Sequence, residues 1–91
     1  MATMSEIRNA IAAIKTENNT QIVVMHGTTN YPCPFDEVNL NAMTTMKKEF
    51  DCFVGYSDHT LGILVPIMAA TLGAVVIEKH FTIDKTSPGP D

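Results

Sequence analysis

Apolar residues recur along this chain in two alternating rhythms. Ile7, Ala10, Ile11 and Ile14 fall three and four residues apart, the spacing of one helix face. Thr3-Met4-Ser5-Glu6 before them matches a capping box, and Lys15 sits in the last turn, where the helix dipole favours a cation. After polar Glu17-Asn18-Asn19-Thr20, the run from Gln21 to His26 carries Ile22, Val23 and Val24 and reads as a buried strand. Gly27 to Asp36 holds Pro32 and Pro34 and is a loop. Asn39 is placed to cap a second helix, with Leu40, Met43, Met46 or Lys47, and Phe50 on one stripe. Phe53 to Tyr56 is a second strand. Thr60 to Leu72 reads as a third helix, which admits Pro66 only within its first turn, and Gly73 is a C′ residue that ends it. Ala74 to His80 is a third strand, and Thr82 to Asp91 is a Pro/Gly loop.

The order is therefore helix and strand in strict alternation. Strand–helix–strand units pair their strands in parallel, and continuously apolar strands need cover on both faces or closure into a barrel. Three strands cannot close. An eight-stranded α/β barrel takes about 250 residues, so the expected fold is α/β, a partial TIM (β/α)8 barrel with three parallel strands and three helices. All 91 residues belong to that one unit, with no second domain. The start on a helix and the stop inside a loop read as cuts through a larger protein. Alone, such a piece exposes two strand edges and an apolar face, which favours association.

Composition narrows the partners. A hydrophobic content of 45% is too high for disorder. Only 18% of residues are charged, which suits a surface meant to be partly covered. The net charge of −4, with Lys and Arg scattered, argues against nucleic acid. Cys33 and Cys52 form no CxxC pair and read as free thiols of a reducing compartment. Residues 1–20 carry Arg8, Lys15 and two Glu, unlike a signal peptide. The apolar run from Ile63 to Ala70 is too short to span a bilayer. A soluble, cytoplasmic protein without a membrane partner is expected.

The candidate chemistry lies where strands end. Tyr56-Ser57-Asp58-His59-Thr60 leaves the second strand and Glu78-Lys79-His80-Phe81-Thr82 leaves the third. Adjacent strands lie about 4.8 Å apart, so the fold can bring His59 and His80 together at the carboxyl rim, where α/β enzymes place their sites. Their separation in sequence fits no zinc-finger or HExxH pattern. With hard donors Asp58, Glu78 and Asp91 nearby, Mn²⁺, Mg²⁺, Fe²⁺ or Zn²⁺ with open positions suits them better than a closed zinc site. The alternative is two structural histidines at strand ends. Glu78 and His80, two apart, share a face; Glu78 can equally be a charge meeting solvent. Asp58 is a metal-side oxygen or an N-cap for the third helix. Ser57 and Thr60 offer hydroxyls to a phosphate. His26 reads as a hydrogen-bonded histidine within its strand, Lys79 as structural, and Thr29 and Tyr31 as substrate-facing loop residues.

The motifs His26-Gly27-Thr28-Thr29-Asn30-Tyr31-Pro32, Val38-Asn39-Leu40-Asn41, Gly55-Tyr56-Ser57-Asp58-His59-Thr60-Leu61-Gly62, Leu72-Gly73-Ala74, Glu78-Lys79-His80-Phe81-Thr82 and Pro88-Gly89-Pro90-Asp91 together resemble the sialic acid synthase family. The resemblance implies the stretch from the fifth helix to just past the eighth strand of a (β/α)8 barrel. It implies His59 and His80 as metal ligands, usually for Mn²⁺ with Mg²⁺ possible, and catalytic roles for His59, His80 and Glu78. It further implies Ser57 and Thr29 at phosphoenolpyruvate, Tyr31 and Asp91 at an N-acetylmannosamine-type sugar, and a homodimer. The implied reaction condenses the two substrates into a nonulosonic acid and releases phosphate. Gly27 stands where the family usually has Cys, and Thr29 where Asn or Ser is common. Phosphoenolpyruvate-gripping lysines, a sugar-contacting glutamate and a C-terminal antifreeze-like domain have no counterpart here, so this piece alone is expected to be inactive. The alternatives are a non-catalytic metal- or phosphate-binding half-barrel that assembles with another chain, and a different metal-dependent barrel enzyme.

Overall fold

A computed structural model describes residues 1–89. Its elements run α1 (Met4–Thr16), β1 (Val23–His26), a short 3-10 turn (Phe35–Glu37), α2 (Asn41–Phe50), β2 (Phe53–Asp58), α3 (Leu64–Thr71) and β3 (Ile77–Lys79). The capping box of α1 is formed: Thr3 N donates to the Glu6 carboxylate at 2.7 Å and Glu6 N donates to Thr3 Oγ1 at 3.3 Å. The bonds donated to the Glu6 carboxylate, from the Thr3 backbone foremost and then from the Thr3 hydroxyl at 2.8 Å, hold it below its ordinary range.

The three strands make one parallel sheet in the order β1-β2-β3. Strand order that follows chain order, joined by right-handed crossovers, puts every crossover helix on the same face. The burial pattern agrees. Val54, Tyr56 and Asp58 of β2 are buried, whereas Phe53 is 65% exposed on the other face. This one-sided arrangement is consistent with a segment of barrel wall rather than a sheet flanked on both faces.

One core lies between sheet and helices, built from Ile11 of α1, Met43, Met46 and Phe50 of α2, Val54 and Tyr56 of β2, and Val65 and Ala69 of α3. Arg8 ties α1 to α2 through the Glu49 carboxylate, and its guanidinium stands 5.8 Å from the Phe50 ring centre. The opposite side of α3 is apolar as well. Leu64, Ile67 and Met68 are exposed there, as are Val75, Val76 and Ile77 around β3. A helix apolar all round is built to be covered. Among the described residues no helix is long and apolar enough to cross a membrane.

Four local expectations are corrected. Asn39 does not cap α2: its φ is +45°, and the cap position falls to Leu40, whose side chain makes no capping bond. The third helix starts at Leu64 rather than Thr60, because the Asp58 carboxylate draws the Thr60 amide into a local turn and Gly62 follows at φ +76°. Asp58 is accordingly not a helix cap, and Pro66 still falls within the first turn of α3, where its missing N–H costs nothing. β3 is shorter than the run from Ala74 to His80, although Val75 N already donates to Val54 O at 2.9 Å.

Candidate functional site

The register of the sheet sets the geometry at its carboxyl rim. Ser57 lies opposite Glu78 and Asp58 opposite Lys79, so the next residue on each strand is His59 and His80. Their ring centroids are 5.1 Å apart at an interplanar angle of 80°. Tyr31, on the loop leaving β1, closes the group: its ring centroid is 4.3 Å from that of His80 and 5.4 Å from that of His59. All three β-strand exits thus contribute one ring.

His59 is held from several directions. Its Nδ1 lies 2.5 Å from the Thr28 carbonyl. A carbonyl only accepts, so Nδ1 carries a proton, and in the neutral ring Nε2 is the nitrogen with the lone pair. The His59 carbonyl accepts from Cys33 N at 2.8 Å. Thr28 is fixed in turn, its hydroxyl donating to the Glu37 carbonyl at 3.1 Å, while Asn30 donates to the Glu37 carboxylate.

Two further pairs flank the histidines on opposite faces of the sheet. On the helix-free face, Ser57 Oγ donates to Glu78 Oε1 at 2.6 Å. On the helix-covered face, Lys79 Nζ donates to Asp58 Oδ2 at 2.5 Å and to the Thr60 carbonyl at 2.8 Å. Thr60 N and Oγ1 both donate to Asp58 Oδ1, at 3.1 and 2.8 Å. Burial of the Asp58 carboxyl works against its ionisation, but the bonds from Lys79 and Thr60 outweigh it and hold the group below the ordinary aspartate range. Burial, reinforced by the Asp58 charge, pushes the Tyr56 hydroxyl up to about 12.

The structure therefore gathers Tyr31, Ser57, His59, Glu78 and His80 at one rim. Thr29 is exposed on the same exit loop, and Asp91 lies outside the described residues. His26 is buried with Nε2 2.7 Å from the Val38 carbonyl, a bond that ties β1 to the end of the 3-10 turn. Sequence reasoning overlooked Thr28 and the pairing of Lys79 with Asp58. The second was detectable, since Asp58 and Lys79 each precede a histidine by one residue.

The pair of imidazoles fits a divalent ion. Nitrogens about 2.1 Å from one ion are compatible with ring centres 5.1 Å apart, and the neutral His59 ring, donating from Nδ1 to Thr28, presents its Nε2 lone pair. Among the described residues no group of three or more His, Cys, Asp or Glu is arranged to hold a metal. An ion held by two histidines would keep its other coordination positions for water or substrate, an open site rather than a closed one.

Comparison with known proteins gives concordant results. The NeuB family model matches residues 1–91. The N,N'-diacetyllegionaminic acid synthase of Legionella pneumophila is 52% identical over 95 residues, an alignment covering 100% of this chain and 27% of that protein. The pseudaminic acid synthase of Campylobacter jejuni is 40% identical over 91 residues, covering 100% of this chain and 26% of its own length. Among solved structures, the N-acetylneuraminic acid (sialic acid) synthetase of Leptospira borgpetersenii in complex with citrate superposes with a TM-score of 0.87 at 37% identity, covering 94% of this chain and 30% of that one. The spore coat polysaccharide biosynthesis protein SpsE of Bacillus subtilis does so with a TM-score of 0.93 at 40% identity, covering 99% and 26%. This chain thus spans about a quarter of the length of the curated relatives it matches.

Proposed function

Because this chain belongs to the NeuB family, we propose that it forms the stretch from the fifth helix to just past the eighth strand of the catalytic (β/α)8 barrel of a nonulosonic acid synthase. The reaction joins phosphoenolpyruvate to N-acetylmannosamine, or a related 2-acetamido sugar, and takes place in the cytoplasm in a homodimeric enzyme. Relatives named as synthases of legionaminic acid, pseudaminic acid and N-acetylneuraminate-9-phosphate support that class. The observation that carries the reading is the 5.1 Å approach of His59 and His80 beside the Ser57–Glu78 pair, at the carboxyl ends of parallel strands.

The roles follow from position. His59, through Nε2, and His80 would hold a divalent ion, Mn²⁺ in preference and Mg²⁺ in its place. When bound, that ion supplies Lewis-acid polarisation of the sugar aldehyde oxygen. Ser57 and Thr29 fix phosphoenolpyruvate so that its enol carbon meets the aldehyde carbon. Tyr31, packed on His80, and Asp91 position the sugar. Once the carbon–carbon bond has formed, water adds to the neighbouring carbon of the former enol, and that carbon expels inorganic phosphate to leave a keto group. Glu78 is the carboxylate placed to hold or move a proton during that addition.

A second reading is favoured by the uncovered apolar face and open strand edges: a non-catalytic metal- or phosphate-binding half-barrel completed by another chain. One experiment separates the two. Residues 1–91 replace the matching stretch of the Legionella pneumophila synthase, and phosphate release from phosphoenolpyruvate is followed with that enzyme's acceptor sugar. The catalytic reading predicts release by the chimera, none by its His59→Ala form, and none by the 91-residue chain alone. A folded but inactive chimera contradicts it and favours the second reading.

A further inference from the structure

The Lys79 ammonium makes two bonds, and the residues they reach are the immediate neighbours of His59. One bond goes to the carboxylate of Asp58 and the other to the carbonyl of Thr60. His59 is therefore bracketed along the chain, before and after, by groups held from β3. The residue that holds them is itself the immediate neighbour of His80. We propose that Lys79 is a positioning residue: by gripping both flanks of His59 it sets the separation of the two imidazoles, and with it the affinity of the site for a divalent ion.

Three observations support this assignment. First, Asp58 and Lys79 are register partners in the parallel ladder, so their bond acts on the pair of strand ends from which both rings project. Second, the Asp58 side chain is fully buried, while Lys79 retains 38% exposure. The carboxylate therefore has little freedom to find another cation, and removing Lys79 leaves it uncompensated. Third, β3 holds only Ile77–Lys79, and its ladder with β2 has three register pairs. So short a ladder leaves few backbone bonds to fix where the two strand ends lie relative to each other, and a side-chain tie at the last residue adds directly to them. Other contacts at the rim act on different groups: Thr28 and Cys33 hold His59 against the β1 loop, Tyr31 packs on His80, and Ser57–Glu78 joins the strands one step earlier on the other face. Groups that orient metal ligands without touching the metal commonly change affinity 10–100-fold when removed.

The inference deepens the proposed metal site and rests on that reading, so its test includes a readout that needs no metal. In ¹³C,¹⁵N-histidine-labelled chain without metal, the ring protons of His59 and His80 should show a mutual nuclear Overhauser effect. Lys79→Met should abolish it, and Lys79→Arg, which keeps charge and donors, should retain it. In parallel, Mn²⁺ titration should show at least a tenfold weaker Kd for Lys79→Met and one within threefold of wild type for Lys79→Arg. Far-UV circular dichroism establishes that each variant is folded; should Lys79→Met unfold, Lys79→Gln carries the same test. A persistent Overhauser effect in the folded Met or Gln variant overturns the positioning role, whether or not the metal binds. An intact effect in wild type that Lys79→Met abolishes, with no Mn²⁺ binding to either, sustains the spacing role and instead defeats the metal reading and the claim on affinity.

Discussion

His59 and Thr28 come from different strand exits, yet the imidazole Nδ1 and the backbone carbonyl stand 2.5 Å apart. Because a carbonyl offers only lone pairs, the neutral ring is fixed as the Nδ1–H tautomer, with Nε2 left as a Lewis base. Long-range ¹H–¹⁵N correlation spectra of the neutral ring should therefore show a protonated Nδ1 and an unprotonated Nε2. The reverse pattern would remove the basis for Nε2 as the metal-side atom.

Asp58 makes the fold acid-sensitive in a defined direction. Its carboxyl titrates below the ordinary range in the folded chain, so its contribution is fully present above the unfolded value near 4 and is lost as pH falls through the folded value. Asp58→Asn should flatten the acid limb of a stability–pH curve and cost about 1.5–3 kcal/mol at neutral pH, the range for a bond to a charged group. An unchanged acid limb would contradict the assignment. Urea midpoints between pH 7 and pH 2 make the comparison.

Tyr56 acts at the other end of the scale. Its hydroxyl is buried and titrates at about 12, so the stability it confers is intact below the unfolded value of about 10. That stability declines as pH rises from there through about 12. Tyr56→Phe should remove this alkaline loss, read as a flatter stability curve between pH 9 and pH 12.

Gly55 sits where β1, β2 and the chain entering β3 converge. A Cβ added there would run into Met25 Sδ and come within 2.9 Å of the Val76 carbonyl oxygen. The thioether can swing aside, but the carbonyl is backbone and accepts the Tyr56 amide at 2.9 Å. Gly55→Ala should therefore destabilise the sheet by about 1–3 kcal/mol, measured by denaturant unfolding.

Much of this architecture is legible in the sequence because its signals are local. The capping box, the i, i+3, i+4 stripe of α1 and the apolar runs of β1 and β2 act over a few residues, and the elements stand where those signals lie. The parallel pairing that brings His59 beside His80 was also readable, since strand–helix–strand connectivity leaves little choice. The departures arise where distant groups override local propensity. Asn39 has a good capping side chain, yet the chain needs a left-handed turn there to leave the 3-10 segment. Thr60 begins an apolar stretch, but Asp58 captures its amide and Lys79 its carbonyl, 19 residues away, and α3 starts later. The bond between the Asp58 and Lys79 side chains, 21 residues apart, shows in no periodicity and only through the parallel register of the two strand ends.

The central claim is that His59 and His80 act together on one divalent ion. Titrating Mn²⁺ into the chain and into His59→Ala and His80→Ala tests it most directly. The account predicts one site in the parent chain and a loss of at least tenfold in affinity in each variant, weakening further as acid protonates the rings. Equal affinity in all three proteins would contradict it.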